Sequence, residues 1–356
     1  MYIVIAILVF GVLITVHEFG HFIAARLCGV RVLEFAIGMG PKLFKREGKE
    51  TLFTLRALPI GGFCAMEGED EESDDPRAFT NQRFWKKLII LVAGSAMNFL
   101  LGFLLILAII TPQNFRAPVI AEFMEGSPYI GENAFLPGDE FYKIDGERIY
   151  TATNIKFFLD RGNGVYDLEM IRNGEKITLN DFHMVPSVEV ETEVDGEIIT
   201  ELKYGVIYPE PEAGALARLK YSWYQSIEYV RLVRISLVDL FTGAAGLRDL
   251  SGPVGIVSVM NDVAMEQESF AAGLLSILGL MAFITINLSV MNLLPIPALD
   301  GGRILFLAIS WVAEKLLRRK LNPKYEGYVH AVFMVALLGL MAFVMINDVV
   351  RIVTGA

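Results

Sequence analysis

The chain predicts a polytopic α-helical membrane protein with four transmembrane helices, a membrane-associated β-hairpin and an extracytoplasmic α+β domain. Three observations predict it. Hydrophobic residues make up 54% of the 356 positions, where soluble domains hold about 45–50%, and the mean hydropathy is +0.48. The excess is gathered into four apolar blocks, each near the ~20 residues that cross ~30 Å of hydrocarbon. Basic residues crowd the first and third of the segments joining those blocks.

The first block runs from about Tyr2 to Leu27 (segment 1–28) and the second from Leu88 to Ile110 (88–111). The third runs from about Phe270 to Leu294 (segment 270–300) and the fourth from Val329 to Ile346 (328–350). The first block lacks a basic n-region and is too long for a signal-peptide h-region, so it reads as a permanent span. Arg31, Lys42, Lys45, Arg46, Lys49, Arg56, Arg83, Lys86 and Lys87 lie between blocks one and two. Arg303, Lys315, Arg318, Arg319, Lys320 and Lys324 lie between blocks three and four. Short loops rich in Lys and Arg stay cytoplasmic. Both termini then face outward, and Thr111 to Glu268 is extracytoplasmic.

Segment 29–87 is unusual for a cytoplasmic loop. Val32–Phe44 and Thr51–Met66 are β-favouring and glycine-punctuated, with the charged turn "KREGKE" between them. They predict a hairpin apolar enough to dip into the membrane against the helices, where such backbone survives only when paired or buried. The acidic run Glu67–Asp75 reads as a solvated loop. Beyond the second span, residues 117–208 alternate short strands with turns. Gly138-Asp139, then Ile144-Asp145-Gly146, then "RNGEKITL" resemble a PDZ domain of the bacterial protease type. That fold usually binds an extended peptide by adding it to a sheet edge. In segment 209–256, Glu212–Leu247 predicts an amphipathic helix, with Leu216, Leu219, Trp223, Ile227, Val230, Val233 and Leu237 at helical spacing. "SGPVGI" (Ser251–Ile256) reads as a turn or loop, and 301–327 as a cytoplasmic helix or loop.

The chemistry sits in the first span, in "LITVHEFGHFIAA". H-E-x-x-H on a helix puts His17 and His21 on one face, one turn apart, able to grip one Zn2+, with Glu18 beside the metal as general base. Ionisable groups cost about 2.5–3.5 kcal/mol each at the centre of a span, so three within five residues demand a partner. A hydrogen-bonded cluster or a proton relay is the alternative. Such a zinc site takes a third protein ligand and leaves one position open. Asp300 is the candidate, the one acid in the apolar run "MNLLPIPALDGGRILF". Its alternative role is an ordinary helix N-cap. Pro295 and Pro297 break the third span there, and non-helical backbone at membrane depth is tolerated where it lines a cavity. His17 lies roughly 22 Å along the first helix at ~1.5 Å per residue, in the cytoplasmic half, the depth of the Pro-Gly break. Cys28 and Cys64 lack C-x-x-C spacing and read as free thiols. His183 and His330 read as structural. The net charge of −10 argues against a nucleic-acid partner.

These residues resemble the site-2 proteases, the intramembrane zinc metalloprotease family, and most closely its bacterial RseP/RasP branch. "VHEFGHFIAARLCGVRVLEFAIGMGP", "LPIGGFCAMEGE", "VAGSAMNFLLGF" with Gly94 and Asn98, "SGPVGI" and "NLLPIPALDGG" carry the likeness over nearly the whole chain. A single PDZ-like segment, where some relatives carry two in tandem, favours the Gram-positive RasP-like subgroup. The resemblance implies an endopeptidase of the bacterial plasma membrane that cuts single-span proteins within the bilayer. Typical substrates would be an anti-sigma factor already cut by a first-site protease, or remnant signal peptides. It implies His17, His21 and Asp300 as zinc ligands and Glu18 as base. It gives Asn292 a role as a substrate-positioning or oxyanion-side donor, with Asn98 either similar or simply helix–helix glue. A non-catalytic PDZ scaffold binding exposed C-termini is the alternative in another class. A transporter would show more spans or inverted repeats.

Overall fold

The computed structural model describes residues 2–69, 73–111, 115–194, 197–210, 214–246, 250–267, 269–317 and 323–354. They form two compact units, one of residues 1–106 with 229–356, the other of 107–228. Arg318, Arg319, Lys320, Glu212, Leu247 and Glu268, used above, lie outside the described residues.

The first unit opens with helix α1 (Tyr2–Cys28), followed by an antiparallel hairpin of β1 (Val32–Glu47) and β2 (Leu52–Met66), then helix α2 (Phe84–Ile110). Among the described residues, four helices are long and apolar enough to cross a membrane, falling in Ile7–Cys28, Phe84–Ile110, Phe270–Asn292 and Gly327–Thr354. All four expected blocks are therefore helical. The second starts a turn early, at Phe84, and Lys86 donates to the Cys28 carbonyl at 2.6 Å.

The hairpin corrects one expectation. β1 continues through "KRE", and the turn is Gly48–Thr51, closed by the Gly48 N–H on the Thr51 carbonyl at 2.9 Å. Lys45, Arg46 and Glu47 pair with Thr54, Phe53 and Leu52. Their side chains are exposed, so extending the ladder buries no charge. The strands are heavily bulged, and Gly38 has φ +81° where a Cβ would meet the Leu58 carbonyl oxygen at 2.4 Å. The hairpin packs on α1 and α2 through Ala24, Ala25, Val32, Phe35, Cys64 and Ile90. The acidic run is not simply solvated either. Glu69 hydrogen-bonds the Met66 N–H at 3.3 Å and pairs with Arg303.

The first unit ends with the second part of α4 (Ala215–Thr242), then α5 (Pro253–Met265), α6 (Phe270–Asn292), α7 (Asp300–Leu317) and α8 (Pro323–Thr354). "SGPVGI" is thus the start of a helix, not a loop. Pro253 takes the first turn, where its missing N–H costs nothing. The Gly252 and Gly255 N–H groups donate to the Asp348 carboxylate on α8 at 3.2 and 2.8 Å. A Cβ on either glycine would lie 2.8 Å from an Asp348 oxygen. Val9, Leu13, Met260, Ala264, Ile277 and Met281 join α1, α5 and α6. Helices α2 and α6 meet through small and hydroxyl residues: Ser289 donates to the Ser95 carbonyl at 2.7 Å and Thr285 to that of Asn98 at 3.3 Å. Such contacts suit a medium where burial drives no association.

The second unit carries an antiparallel sheet in the order β5 (Glu147–Arg148), β4 (Glu140–Ile144), β6 (Val165–Arg172), β7 (Glu175–His183). Helix α3 (Ala152–Arg161), the pair β3 (Glu122–Phe123) with β10 (Val206–Ile207), and the hairpin β8 (Val188–Val194) with β9 (Glu197–Lys203) complete it. Two turns are type I′: Asp145-Gly146 at φ +48° and +81°, and Asn173-Gly174 at +50° and +84°. Phe135, Phe141, Ile144, Ile155, Leu159 and Tyr166 centre its core. The Arg172 guanidinium binds both Asp139 oxygens at 2.9 and 2.7 Å and the carbonyls of Glu132 and Ala134.

Candidate metal centre

Helix α1 presents His17 and His21 one turn apart, with ring centroids 4.8 Å apart and planes at 80°. A carbonyl only accepts, so the 2.8 Å contact of His21 Nδ1 with the Ile90 oxygen places the proton on Nδ1. That leaves the Nε2 lone pair directed at the neighbouring ligand atoms, the usual arrangement of a metal-binding imidazole. Asp300 opens α7, and its Oδ2 lies 3.1 Å from His17 Nε2 and 3.3 Å from His21 Nε2. The two Nε2 atoms are 3.2 Å apart. Three ligand atoms at the vertices of a tetrahedron around an ion, with bonds of about 2.0–2.1 Å, stand about 3.3 Å from one another. The triangle fits Zn2+ in both size and donor chemistry. The side chains of all three residues are largely buried. His17 Nδ1 has no hydrogen-bond partner among the described residues.

Local backbone explains how a residue so distant in sequence arrives there. Helix α6 stops at Asn292 because Pro295 and Pro297 cannot continue it. Ala298 turns the chain with φ +81°. Gly301 and Gly302 let α7 begin directly against the bend. A Cβ on Gly301 would lie 2.2 Å from the Leu294 oxygen, and on Gly302 2.3 Å from that of Ile296. Asp300 therefore serves in the helix's first turn and in the triangle at once.

Glu18 lies between the histidine face and the hairpin. A Cβ on Gly62 of β2 would stand 3.7 Å from the Glu18 Cγ. At ~100° per residue, Phe19 and Phe22 point away from the histidines. They line a hollow of about 480 Å3 with Phe35, Phe44, Phe53 and Leu55. On α2, Gly94 faces both rings: a Cβ there would lie 2.4 Å from His21 Nε2 and 2.7 Å from His17 Cε1.

His17, His21 and Asp300 are thus brought together, with Glu18 beside them. The two asparagines are not in the triangle. Asn98 is buried one turn along α2 from Gly94, and its Oδ1 meets no donor among the described residues. Asn292 is half-buried as the last residue of α6. Sequence reasoning noted Gly94 only as part of a spacing with Asn98. The Ile90 carbonyl carries no sequence signal at all.

The sequence pattern of peptidase family M50 matches residues 5–340. A Clostridium acetobutylicum protein described as a candidate zinc metalloprotease is 38% identical over 352 residues, covering 98% of this chain and 97% of its own. The zinc metalloprotease RasP of Bacillus licheniformis is 27% identical over 429 aligned positions, covering 97% and 98%. The regulator of sigma-W protease RasP of Bacillus subtilis is 28% identical over 429 positions, covering 97% of each.

Proposed function

The chain belongs to peptidase family M50, the site-2 proteases, and is a membrane-embedded zinc metalloprotease; from that premise we propose that it cuts single-span membrane proteins within the bilayer, with His17, His21 and Asp300 as zinc ligands and Glu18 as general base. The observation that carries this reading is the triangle of ligand atoms, 3.1 to 3.3 Å on each side, with a glutamate next to it.

When bound, zinc polarises the scissile carbonyl and lowers the pKa of its water to about 7. Glu18 takes the proton of the attacking water and returns it to the leaving amine nitrogen. The Ile90 carbonyl holds His21 in the tautomer that leaves Nε2 bare, and Gly94 keeps the space in front of both rings open. The hairpin offers its edge to the substrate as an extended strand, and the phenylalanine-lined hollow takes apolar side chains. Extension matters because a helical peptide bond is shielded by its own hydrogen bonds. Asn292 and Asn98 orient the unwound substrate.

One relative is named for the regulation of sigma-W, and in keeping with that the substrate we propose is an anti-sigma factor already shortened by a first-site protease. Remnant signal peptides have the same single-span chemistry. We place the protein in the bacterial plasma membrane, with both termini outside and the site in the cytoplasmic half, on the distribution of Lys and Arg. Residues 117–208 would act as a PDZ domain toward the substrate's outer end.

The test is reconstitution in lipid vesicles with a labelled single-span substrate. Glu18→Gln should bind zinc like the unmodified protein and leave the substrate intact. Cleavage by that variant at the unmodified rate would overturn the proposal.

A further inference from the structure

Helix α8 is held differently from the other spans. Only 6% of its apolar window is buried, against 33–39% for the other three. It is tied by polar contacts near its two ends. At one end Asp348 caps α5. At the other, the Ala298 N–H donates to His330 Nδ1 at 2.8 Å. Ala298 lies two residues before Asp300 and has φ +81°, a conformation that a residue with a Cβ avoids. Something outside the bend must stabilise that peptide, and His330 is the acceptor that meets its N–H. The imidazole is steadied in turn by the Phe306 ring of α7, with centroids 5.3 Å apart and planes at 50°. One side chain of α8 thus touches the bend before Asp300 and the helix after it.

We propose that His330 is a positioning residue, which sets the aim of Asp300 by fixing the Ala298 peptide. The inference rests on the reading of Asp300 as a zinc ligand. Asp300 is the first residue of α7, so the proline-broken bend just before it sets how it approaches the histidines, and that bend needs a constraint from outside. The hydrogen bond from α8 supplies that constraint and couples the last span to the metal centre.

The experiment uses the full-length protein in detergent, loaded with zinc, and follows release of zinc to a coloured chelator beside the steady-state cleavage constants. His330→Ala should release zinc about 10–100-fold faster, in the range seen when outer partners of metal ligands are removed. Its kcat should fall while KM stays close to the original. His330→Asn places an acceptor oxygen near the position of Nδ1 and should recover most of both. Adding Ala298→Gly to His330→Ala should recover part, because glycine adopts the same φ without strain. Zinc retention by His330→Ala equal to the unmodified protein, with Asp300→Asn losing it, would overturn the inference and leave the ligand reading standing. Retention by Asp300→Asn would overturn the ligand reading itself. Asn failing as badly as Ala, in protein that melts normally, would show that the acceptor is irrelevant and sink the proposal.

Discussion

Gly94 has no room for a Cβ: an added methyl would stand 2.4 Å from Nε2 of His21, one of the three atoms of the metal-sized triangle. The glycine is therefore part of the site although it holds nothing. Gly94→Ala should abolish zinc retention. Gly102→Ala is the matched control, because its Cβ would press on Ile286 Cγ1 at the same 2.4 Å, away from the histidines. The control should lose about 1–3 kcal/mol to overpacking and keep one zinc per chain. Zinc analysis and thermal melting of both variants separate the two effects.

Asp348 joins α8 to the first turn of α5 through two backbone N–H groups. Asp348→Ala should leave both donors unmatched, at about 1–3 kcal/mol for the buried Gly252 N–H and less for the half-buried Gly255. The expected signature is faster amide exchange at Gly252 and Gly255, with zinc content unchanged. Protection equal to that of the unmodified protein would show that the carboxylate is dispensable there.

In the second unit, Asp139 is 1% exposed and is neutralised by Arg172. Arg172→Ala should cost about 3–5 kcal/mol by stranding a buried charge. Arg172→Lys should recover little, since an ammonium group cannot bind both oxygens and two carbonyls in one plane. The measurement is the melting of this unit, followed by a probe at Tyr166.

The hairpin should show its own acid limit. Burial pushes the Glu34 carboxyl up, but hydrogen bonds from Thr54, Arg56 and Lys42 outweigh it and hold it at about 2, against an ordinary 4.5. A carboxylate with a depressed folded value contributes its full stabilisation above the unfolded value and loses it as pH falls through the folded one. Resistance of the hairpin to an acid-tolerant protease should thus hold down to about pH 4.5 and decline toward pH 2. Glu34→Gln should remove that decline. A variant profile matching the unmodified one would show that another group sets the limit.

What the sequence makes legible is the part that obeys a short repeat or stands out by solubility. His17 and His21 are readable because i and i+4 share a helix face, and Asp300 because an acid alone in an apolar run needs a partner. The Asn-Gly and Asp-Gly turns name their own geometry. "SGPVGI" misleads, because its Gly and Pro content signals a turn when the glycines make room for Asp348 on another helix. Asp348 itself carried a usable signal, an acid at the end of an apolar span, which needs a partner just as Asp300 does. His330 looks structural until the strained Ala298 peptide is seen beside it. The Ile90 carbonyl belongs to the backbone, and no residue type could have announced it.

His17 and His21 leave the ribosome within the same helix, and Asp300 follows about 280 residues later. At roughly 5–20 residues per second, tens of seconds of synthesis separate them. Through that interval the growing chain holds two corners of the triangle, with Glu18 beside them, but not the third. A membrane zinc metalloprotease is thus inserted with its triangle of ligand atoms still open, and the triangle closes only once α6 and the start of α7 have been made.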